Sequence, residues 1–527
     1  YLANDGLKRS LEQDKKFLQQ RNMQPNKVLG QIDNYRKGFP FVELHEAASL
    51  KHGITQLSSK KMDDMVSVFE DFASDNEIVK FVPASGAASR MFKNLFEFRN
   101  SYRGTYDDQL ELLKDKGPDS VYYFFEHIEE FAFFPDLLDA FDKRKLNFEN
   151  TLKELRYERV LNTLLTEKGL CYGEIPKALI PFHIYPNEVR TAFAEHLAEG
   201  AKYARSSGNV CKIHFTVSPQ HMEMMHDHFQ ELKDTYEDRY NIRYEISYSL
   251  QDPSTDVITV DMNNNPLRNE LGEFVFRPGG HGALLKNLNE LKADLIIIKN
   301  IDNVCHDRVK YDTHYYKMAL CGYLVFLQEQ IHSYLKGLKK PTAPSTKVIT
   351  NMLSFMEHKL NIRPPLESNH WNKEKKIAFI KEKLNRPIRV CGMVENEGEP
   401  GGGPFWVENK DGSFGLQIIE ASQINSKDEN QLEIINRSTH FNPVDLICST
   451  IDFEGKHFNL YDYVNPNTGF ISHKSLDGEE IKAQELPGLW NGTMADWITI
   501  FVEVPLITFN PVKIINDLLR TQHLNMT

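Results

Sequence analysis

The fold is most readily recognised from residues 78–98, IVKFVPASGAASRMFKNLFEF, which join three local patterns in one stretch. An apolar run, Ile78 to Val82, predicts a buried strand, and the spacing of apolar residues from Met91 onward predicts a helix. The small residues between these two elements leave room for a phosphate group close to the backbone. The stretch therefore predicts a strand, a phosphate-binding loop and a helix whose first amides point at the phosphate.

The loop itself supplies the first candidate binding residues. Its arginine adds a guanidinium group with fixed geometry, and its spacing differs from a Walker A loop, which ends in Gly-Lys-Ser/Thr. An ordinary tight turn from strand to helix also needs small residues, so that interpretation stays open. The residues expected to contact phosphate are Ser85, Gly86, Ala87, Ala88, Ser89 and Arg90.

The composition is that of a folded, acidic protein. Of 527 residues, 41% are hydrophobic and 11% are aromatic, which excludes a disordered chain. The formal net charge of −12 argues against a general nucleic-acid surface, so we expect no nucleic-acid partner. The six cysteines form no CxxC pair, which favours reduced thiols and a cytoplasmic location, and no apolar run is long enough to span a membrane.

Strands and helices alternate in the middle of the chain. From about residue 172 onward, apolar runs predict strands at Lys212–Val217, Tyr244–Ser249 and Asp294–Lys299, and a helix from Pro219 to Asp234. The last strand contains a continuous apolar run, as in a parallel sheet that is covered on both faces. We therefore predict an α/β fold, with a mixed, mostly parallel, doubly wound sheet and large helical additions.

The patterns divide the chain into four regions. The last of them closes with a predicted helix from Val512 to Arg520. The regions are an N-terminal helical region over 1–75, an α/β core over 76–304 with a helical insertion at 99–170, a helical region over 305–385, and a strand-rich C-terminal part over 386–527 that completes the core.

One lysine lies inside the apolar segment PKALIP, residues 176–181. An ammonium group at Lys177 is costly there unless it has an anionic partner. The position favours contact with a phosphate group, and a structural salt bridge is the alternative.

A glycine-rich segment, FRPGGHGAL, covers residues 276–284. Three glycines in four positions let a ligand ring approach the backbone closely. Gly279, Gly280, His281 and Gly282 are therefore candidate nucleotide-binding residues. A connecting turn would have the same composition, so it remains the alternative.

The predicted strand that ends at Lys299 is followed by Asn-Ile-Asp-Asn. Ligands of open α/β sheets bind at the carboxyl ends of strands, where Asp302 stands. Mg²⁺ takes one or two carboxylates together with phosphate oxygens and water, so we expect Asp302 to bind it. An aspartate in a turn or at a helix N-cap is the alternative.

Weaker candidates come from segments 396–405 and 489–497, which could form loops over a sugar. A surface turn is the preferred interpretation of both segments. They contribute Glu399, Gly402 and Asn491 as sugar-side candidates. Elsewhere, Gln251 could contact a base or face solvent, and Asp445 is a candidate second metal ligand.

In their order along the chain, these motifs resemble those of the sugar nucleotidyltransferases, especially the UDP-sugar pyrophosphorylases with their GT-A-like sheet. Ser85-Gly-Ala-Ala-Ser-Arg-Met91 is similar to the glycine-rich loop of that family, and Pro176-Lys-Ala-Leu-Ile-Pro181 to its Pro-Lys-x-Leu-x-Pro motif. Gly280-His-Gly282 resembles its Gly-His-Gly loop, and Asn300-Ile-Asp-Asn303 its Asn-x-Asp-Asn motif. The whole chain is also identified as a member of the bacterial family DUF4301.

The resemblance implies a role for each matching residue. Arg90 and Lys177 would be the catalytic cations, and Gly86 and Ala87 would contact the triphosphate beside Arg90. Gly280 and His281 would lie near the nucleotide, and Asp302 would bind magnesium.

The implied reaction is the Mg²⁺-dependent transfer of a nucleotidyl group from a nucleoside triphosphate to a sugar-1-phosphate, with release of pyrophosphate. Because the substrate supplies the nucleophile, the protein would contribute alignment and charge neutralisation. A catalytically inactive protein of the same fold that binds a nucleotide sugar or sugar phosphate is one alternative, and a helical interaction scaffold is another. The sugar, the base and the oligomeric state stay open.

Overall fold

The computed structural model describes residues 14–86, 88–399, 401–476 and 479–526. The chain divides into two compact units, each made of separate stretches. The first unit contains Tyr1–Val68, Gln251–Ile296 and Leu320–Val504, and the second contains Phe69–Leu250, Ile297–Ala319 and Pro505–Thr527. The predicted C-terminal part is thus shared, because residues up to Val504 belong to the first unit and the rest to the second.

A mostly parallel sheet forms the centre of the second unit. Strand Val210–Val217 pairs in parallel with both Ile78–Pro83 and Arg243–Leu250. Ile78 to Val82 are all buried, as expected for a strand covered on both faces. The predicted strands in this part of the chain are confirmed. A short antiparallel strand, Arg205–Ser206, and a hairpin of Pro181–Tyr185 with Glu188–Thr191 complete the strands of this unit.

The helix Ala192–Tyr203 is buried along almost its whole length. It begins after Thr191, whose side-chain oxygen accepts a hydrogen bond from the amide of Ala194 and so caps the helix. The other helices of this unit are Lys93–Ser101, Tyr106–Leu112, Val121–Glu126, Phe134–Lys143, Phe148–Lys153, Tyr157–Leu165 and Met222–Tyr240.

The predicted insertion at 99–170 is helical and packs around aromatic rings. The ring centroid of Phe125 lies 4.3 Å from that of Tyr157 and 6.1 Å from that of Phe98. Phe124, Phe131 and Phe133 are buried in the same region. Such pairs contribute beyond the apolar area that they bury, so the insertion has a small core of its own.

The first unit also contains parallel strands. Strand Ile388–Glu395 pairs in parallel with Ile498–Glu503, which pairs in parallel with Gly53–Thr55. Asp445–Ser449 and His440–Phe441 are its antiparallel neighbours. Strand Ser49–Leu50 is parallel to Gly53–Thr55. A three-stranded antiparallel sheet consists of Glu46–Ala47, Gly403–Glu408 and Phe414–Ile419. A four-stranded antiparallel sheet consists of Phe276–Arg277, Val257–Asp261, Glu479–Glu485 and Phe470–Leu476.

Three elements run across the division between the units. They are helix Ser59–Asp75, strand Leu295–Lys299 and the long helix Lys310–Lys339. The sequence pattern predicts a helix over 60–72, a strand over 294–299 and a helix over 317–336, so the long helix extends beyond its predicted range at both ends. The remaining helices, all in the first unit, are Lys15–Gln20, Pro25–Lys37, Leu285–Glu290, Thr346–Lys359, Lys373–Leu384 and Glu429–Asn436.

The predicted helix from Val512 to Arg520 is wrong. The segment forms a short 3-10 turn, Ile515–Leu519. One carboxylate oxygen of Asp517 accepts hydrogen bonds from the amides of Lys513 and Ile514, at 2.7 and 2.9 Å. These side-chain bonds replace the helical pattern at the start of the segment.

The fold is mixed α/β, with parallel-rich sheet and many helices, which confirms the predicted fold class. Within the described ranges, no helix combines the length and the apolar character that crossing a membrane requires.

Candidate functional site

The loop that follows strand Ile78–Pro83 is joined by backbone hydrogen bonds to the segment before Lys177. The amide of Ala88 donates to the carbonyl of Ile175 at 3.1 Å, and the amide of Lys177 donates to the carbonyl of Gly86 at 3.3 Å. The loop and the PKALIP segment, far apart in sequence, therefore lie side by side in the second unit.

The route from loop to helix differs from the prediction. A 3-10 turn, Ala88–Arg90, follows the loop, and the helix begins only at Lys93. Since the amide of Ala88 is already bonded to Ile175, it does not point freely at a ligand. A ligand at this loop would therefore contact its exposed residues and side chains rather than helical amides.

The side chains of the loop differ in exposure. Ser85 is half-buried and Ala88 is buried, whereas Gly86, Ser89 and Arg90 are exposed. Among the described residues, Arg90 has no hydrogen-bond or ion-pair partner, so its guanidinium group is available to a ligand. Ala87, the remaining predicted contact, lies outside the described residues.

Lys177 and Asp302, predicted separately, form an ion pair in the second unit. Lys177 Nζ donates to Asp302 Oδ2 at 2.7 Å, and the two side chains are only 14% and 8% exposed. A second ammonium group, that of Lys513, lies 3.1 Å from the same oxygen and is 61% exposed. We call Lys177, Asp302 and Lys513 the Asp302 cluster.

The segment before Lys513 is fixed by the backbone and side chains around Asp302. The amide of Val512 donates to the carbonyl of Asp302 at 3.2 Å, and the amide of Asn510 donates to Asn303 Oδ1 at 2.8 Å. These bonds hold Lys513 beside a carboxylate that precedes it by 211 residues. Sequence analysis missed Lys513, because its flanking residues carry no motif.

Charge and burial act together on the Asp302 cluster. Burial lowers the pKa of Lys177, and the attraction of Asp302 opposes this only in part. Burial also acts to raise the pKa of Asp302, but the two ammonium groups outweigh it and hold that pKa below its ordinary value. Asp302 is therefore an anion at neutral pH, and its Oδ1 is buried with no hydrogen-bond partner among the described residues.

The surroundings of Asp302 are unfavourable for a bound magnesium ion. Asp302 Oδ2 already faces two ammonium groups, which repel a cation, and only Oδ1 is free. Asp445, the second predicted ligand, belongs to the other unit. In the described part of the chain, no group of three or more His, Cys, Asp or Glu side chains is arranged to hold a metal. The residues present do not fit a magnesium ion held by the protein.

The Gly279–Gly282 loop in the first unit needs its glycines. Gly280 has a φ of +78°, a conformation that side chains disfavour. At Gly282 a Cβ atom would lie 1.8 Å from the carbonyl oxygen of Pro487, where there is no room for it. The loop is thus packed tightly against segment 486–489, and the amide of Leu486 donates to the carbonyl of Gly279 at 2.9 Å.

His281 is held in one orientation and one tautomer. Its ring stacks on Trp490, with centroids 4.2 Å apart, and its Nδ1 accepts a hydrogen bond from the amide of Leu489 at 2.9 Å. Burial lowers the pKa of His281, so the ring is neutral at pH 7. With Nδ1 as the acceptor, the proton is on Nε2, which can donate to a ligand.

Two sugar-side candidates lie near this histidine. A Cβ atom at Gly488 would lie 3.2 Å from His281 Nε2 and 3.3 Å from Asn491 Nδ2, so both side chains border the same glycine. A Cβ atom at Gly402 would lie 3.9 Å from Asn491 Oδ1, which is buried without a partner in the described chain. We call His281, Trp490, Asn491 and Gly402 the His281 cluster; Trp490 was not predicted.

The other predicted residues of the first unit are dispersed. Asp445 is buried on its strand, 3.0 Å from where Gly392 would carry a Cβ atom. Gln251 is half-buried, and its Nε2 has no partner among the described residues. Glu399 is exposed. The roles of these three residues stay predictions.

A comparison with solved structures finds pyrophosphorylases. A mutant of UDP-glucose pyrophosphorylase from Leishmania major is 13% identical, with a TM-score of 0.43 over 96% of this chain and 77% of that one. Uridine diphosphate N-acetylglucosamine pyrophosphorylase from Trypanosoma brucei, in complex with an inhibitor, is 12% identical, with a TM-score of 0.45 over 93% and 72%. UDP-glucose phosphorylase from Trypanosoma brucei is 12% identical, with a TM-score of 0.43 over 96% and 76%.

The remaining comparisons concern sequence. No curated protein matches the chain. The profile of the family described as a domain of unknown function, DUF4301, matches residues 11–524, which is nearly the whole sequence. As the sequence predicts, the chain belongs to the DUF4301 family.

Proposed function

We propose that the protein transfers a nucleotidyl group from a nucleoside triphosphate to a sugar-1-phosphate and releases pyrophosphate. The observation that carries this proposal is the Asp302 cluster beside the loop 84–90. It combines a buried carboxylate with two ammonium groups. Backbone hydrogen bonds join the segment of Lys177 to the loop, whose Arg90 is exposed and has no partner in the described chain. A concentration of cations on an acidic protein suits a phosphorylated substrate.

In the proposed reaction, an oxygen of the sugar-1-phosphate attacks the α-phosphorus of the triphosphate. A new oxygen–phosphorus bond forms, and the bond from the α-phosphorus to the oxygen that bridges to the β-phosphate breaks. Pyrophosphate leaves with the electron pair of that bond. The substrate supplies the nucleophile, so the protein only has to align the two phosphates and offset their charge.

Lys177 and Lys513 have different roles in this proposal. Lys177 is nearly buried and is fixed by Asp302, so it presents its ammonium group at a constant position. Lys513 is 61% exposed and can turn from Asp302 toward a bound phosphate. Asp302 is then a positioning residue that orients both lysines, and Arg90 adds a further cation from the loop.

Magnesium enters this proposal as part of the substrate. Nucleoside triphosphates bind Mg²⁺ through their own phosphate oxygens and water, and this needs few ligands from the protein. The dependence on magnesium stays a prediction, and the activity would be compared with and without a chelator.

The His281 cluster is proposed to bind a nucleoside or sugar group within the first unit. His281 offers a neutral Nε2–H donor, and Asn491 offers a buried carbonyl oxygen without a partner in the described residues. A donor and an acceptor on neighbouring side chains suit a neutral group with hydroxyl or amide edges.

The test is a pyrophosphate-release assay with a panel of nucleoside triphosphates and sugar-1-phosphates. With the best pair, Asp302→Asn and Lys177→Met are each expected to lower kcat by about a hundredfold or more, since each removes an aligned charge. Lys93→Met is the matched control, because Lys93 is an exposed lysine whose side chain is 74% accessible. Melting temperatures of all variants show whether each is folded.

Two results would reject the enzymatic proposal. The first is unchanged pyrophosphate release in both cluster variants. The second is a wild-type protein that is stabilised by a nucleotide or sugar phosphate but releases no pyrophosphate with any pair. That second result would instead support a catalytically inactive protein that binds a nucleotide sugar or a sugar phosphate.

A further inference from the structure

A cavity of about 570 Å³ lies in the first unit, behind the Gly279–Gly282 loop. Its walls are mostly apolar, and its volume is within the range of about 300–1,000 Å³ that small-molecule sites occupy. None of the sequence motifs predicted it. The apolar and aromatic residues of the wall include Phe39, Leu285, Tyr461, Val464 and Leu486.

One buried polar group in the cavity wall lacks a partner. Gln484 is only 3% exposed, and its Oε1 has no hydrogen-bond partner among the described residues. The backbone of Gln484 is fixed, because its amide donates to the hydroxyl of Tyr35 at 2.7 Å within strand Glu479–Glu485. A buried acceptor without a donor is costly, so a ligand that supplies the donor would bind favourably.

Lys27 and Lys286 line the cavity, and their charges are balanced together with those of charged residues next to the wall. Lys27 donates to the carbonyl of Ser254, and Lys286 pairs with Asp252. Arg21 pairs with Asp256 at 2.5 Å. The hydrogen bond to Asp252 raises the pKa of Lys286, and the charge of Glu290 contributes to the same shift. The cations Arg21, Lys27 and Lys286 therefore face the anions Asp252, Asp256 and Glu290. No excess charge is left to attract a phosphorylated or carboxylated ligand.

We propose that this cavity binds a neutral, mostly apolar aromatic molecule that carries one hydrogen-bond donor. The aromatic body would pack against the apolar wall, and the donor would meet Gln484 Oε1. This ligand class differs from the charged substrates of the proposed reaction, so the site does not depend on that function.

The cavity shares a wall with the loop that carries His281. Leu486 and Pro487 line the cavity, and the same two residues pack against Gly279 and Gly282. Two residues further along, the amide of Leu489 is bonded to His281 Nδ1. A bound molecule would thus restrict segment 484–489, on which the position of His281 depends.

The test uses the full chain and two matched probes, 2-naphthol and 2-methoxynaphthalene. Both have the same aromatic body, but only 2-naphthol has a donor. Calorimetry is expected to show binding of both, with 2-naphthol tighter by about three- to tenfold. Gln484→Met, which removes the acceptor, should abolish that difference and leave 2-methoxynaphthalene binding unchanged.

A second variant closes the cavity without disturbing the core. Gly30 lines the cavity on helix Pro25–Lys37, and a Cβ atom there would meet nothing within 4 Å. Gly30→Leu is expected to abolish binding of both probes, and it favours the helix. Gly337→Leu is the control, since Gly337 is a helical glycine with equally open surroundings outside the cavity.

Hydrogen–deuterium exchange would locate the bound probe. We expect 2-naphthol to slow exchange in residues 484–489 of the wild type and not in Gly30→Leu. The proposal is overturned if neither probe binds the wild type, if Gly30→Leu binds both as well as the wild type does, or if Gln484→Met weakens both probes equally.

Discussion

Two carboxylates in the second unit each lie between two lysines, and their surroundings differ sharply. Glu199 accepts hydrogen bonds from Lys299 on both oxygens, at 3.0 and 2.8 Å, and from Lys80 at 3.3 Å. The hydroxyl of Tyr203 adds a bond of 2.8 Å. Asp302, in contrast, uses only Oδ2 for its two lysines.

The contrast separates a structural charge group from a candidate functional one. Glu199, Lys80 and Lys299 are at most 2% exposed, and both oxygens of Glu199 are occupied. The Asp302 cluster has a buried oxygen without a partner in the described chain, and one of its lysines is 61% exposed. A fully satisfied buried group has nothing left to offer a ligand, whereas a partly satisfied one does.

The largest expected effect comes from removing the charge of Glu199. Glu199→Gln leaves two buried ammonium groups without a counter-charge, and we expect the free energy of unfolding to fall by about 3–5 kcal/mol. Denaturant unfolding measures this. In the control Glu97→Gln, which removes an exposed partner of Lys93, the change should stay below about 0.5 kcal/mol. A loss for Glu199→Gln as small as the control would refute the structural assignment.

The next effect is a pH dependence carried by Lys80. Burial lowers the pKa of Lys80 to about 7 in the folded protein, although Glu199 opposes the shift. In the unfolded chain, the pKa of lysine is about 10.4. Between about pH 7 and pH 10.4 the unfolded chain therefore binds more protons than the folded protein. As a result, the free energy of unfolding rises with pH, by up to about 1.4 kcal/mol per pH unit.

Lys80→Met removes this titration. We expect the rise in the free energy of unfolding between about pH 7.5 and pH 9.5 to be smaller in the variant than in the wild type, as measured by denaturant unfolding. Lys93→Met, at an exposed lysine, is the control and should keep the wild-type slope. Equal slopes in Lys80→Met and the wild type would show that the pKa of Lys80 is not lowered in the folded protein.

A smaller effect is expected at Asp302. Asp302→Asn keeps the shape of the side chain, and Lys513 can be hydrated when its partner is neutral. We therefore expect a loss of about 1–2 kcal/mol in the free energy of unfolding, less than for Glu199→Gln. If Asp302→Asn costs as much as Glu199→Gln, the two clusters have the same structural role and the comparison fails.

The smallest expected effect on stability is that of Lys513→Met. The side chain of Lys513 is 61% exposed, and ion pairs of exposed lysines contribute about 0–1 kcal/mol. Asp302 also keeps Lys177 as a partner in this variant. Under the proposed function, the same variant lowers pyrophosphate release while its melting temperature stays close to that of the wild type. Unchanged release would remove Lys513 from the proposed machinery and leave Lys177 and Arg90 in it.

Local patterns were sufficient to predict the central elements. The strands Ile78–Pro83 and Leu295–Lys299 were predicted from their apolar runs, and the continuous run in the second indicates a strand buried on both faces. Strand Val210–Val217 was predicted over 212–217, and the long helix Lys310–Lys339 over 317–336. The prediction failed for 512–520, where the carboxylate of Asp517 caps two backbone amides.

Contacts between distant residues could not be predicted in the same way. The sequence suggested either a phosphate or a salt bridge for Lys177, and the structure pairs it with Asp302, 125 residues later. No sequence motif pointed to Lys513 or Trp490 as a site residue. Lys513 contacts Asp302 and Trp490 stacks on His281, and only the fold brings these partners together. Residue type and local spacing therefore predicted the candidates but not their partners.

The hydrogen bonds that join Gly86 to Lys177 and Ala88 to Ile175 have a consequence for how this chain can vary. These bonds hold the two ends of the segment 89–174 together, so the segment is equivalent to one long loop with fixed ends. The entropy of closing such a loop grows only slowly with its length. Relatives could therefore lengthen, shorten or exchange this helical module while the two segments at its base keep their mutual position.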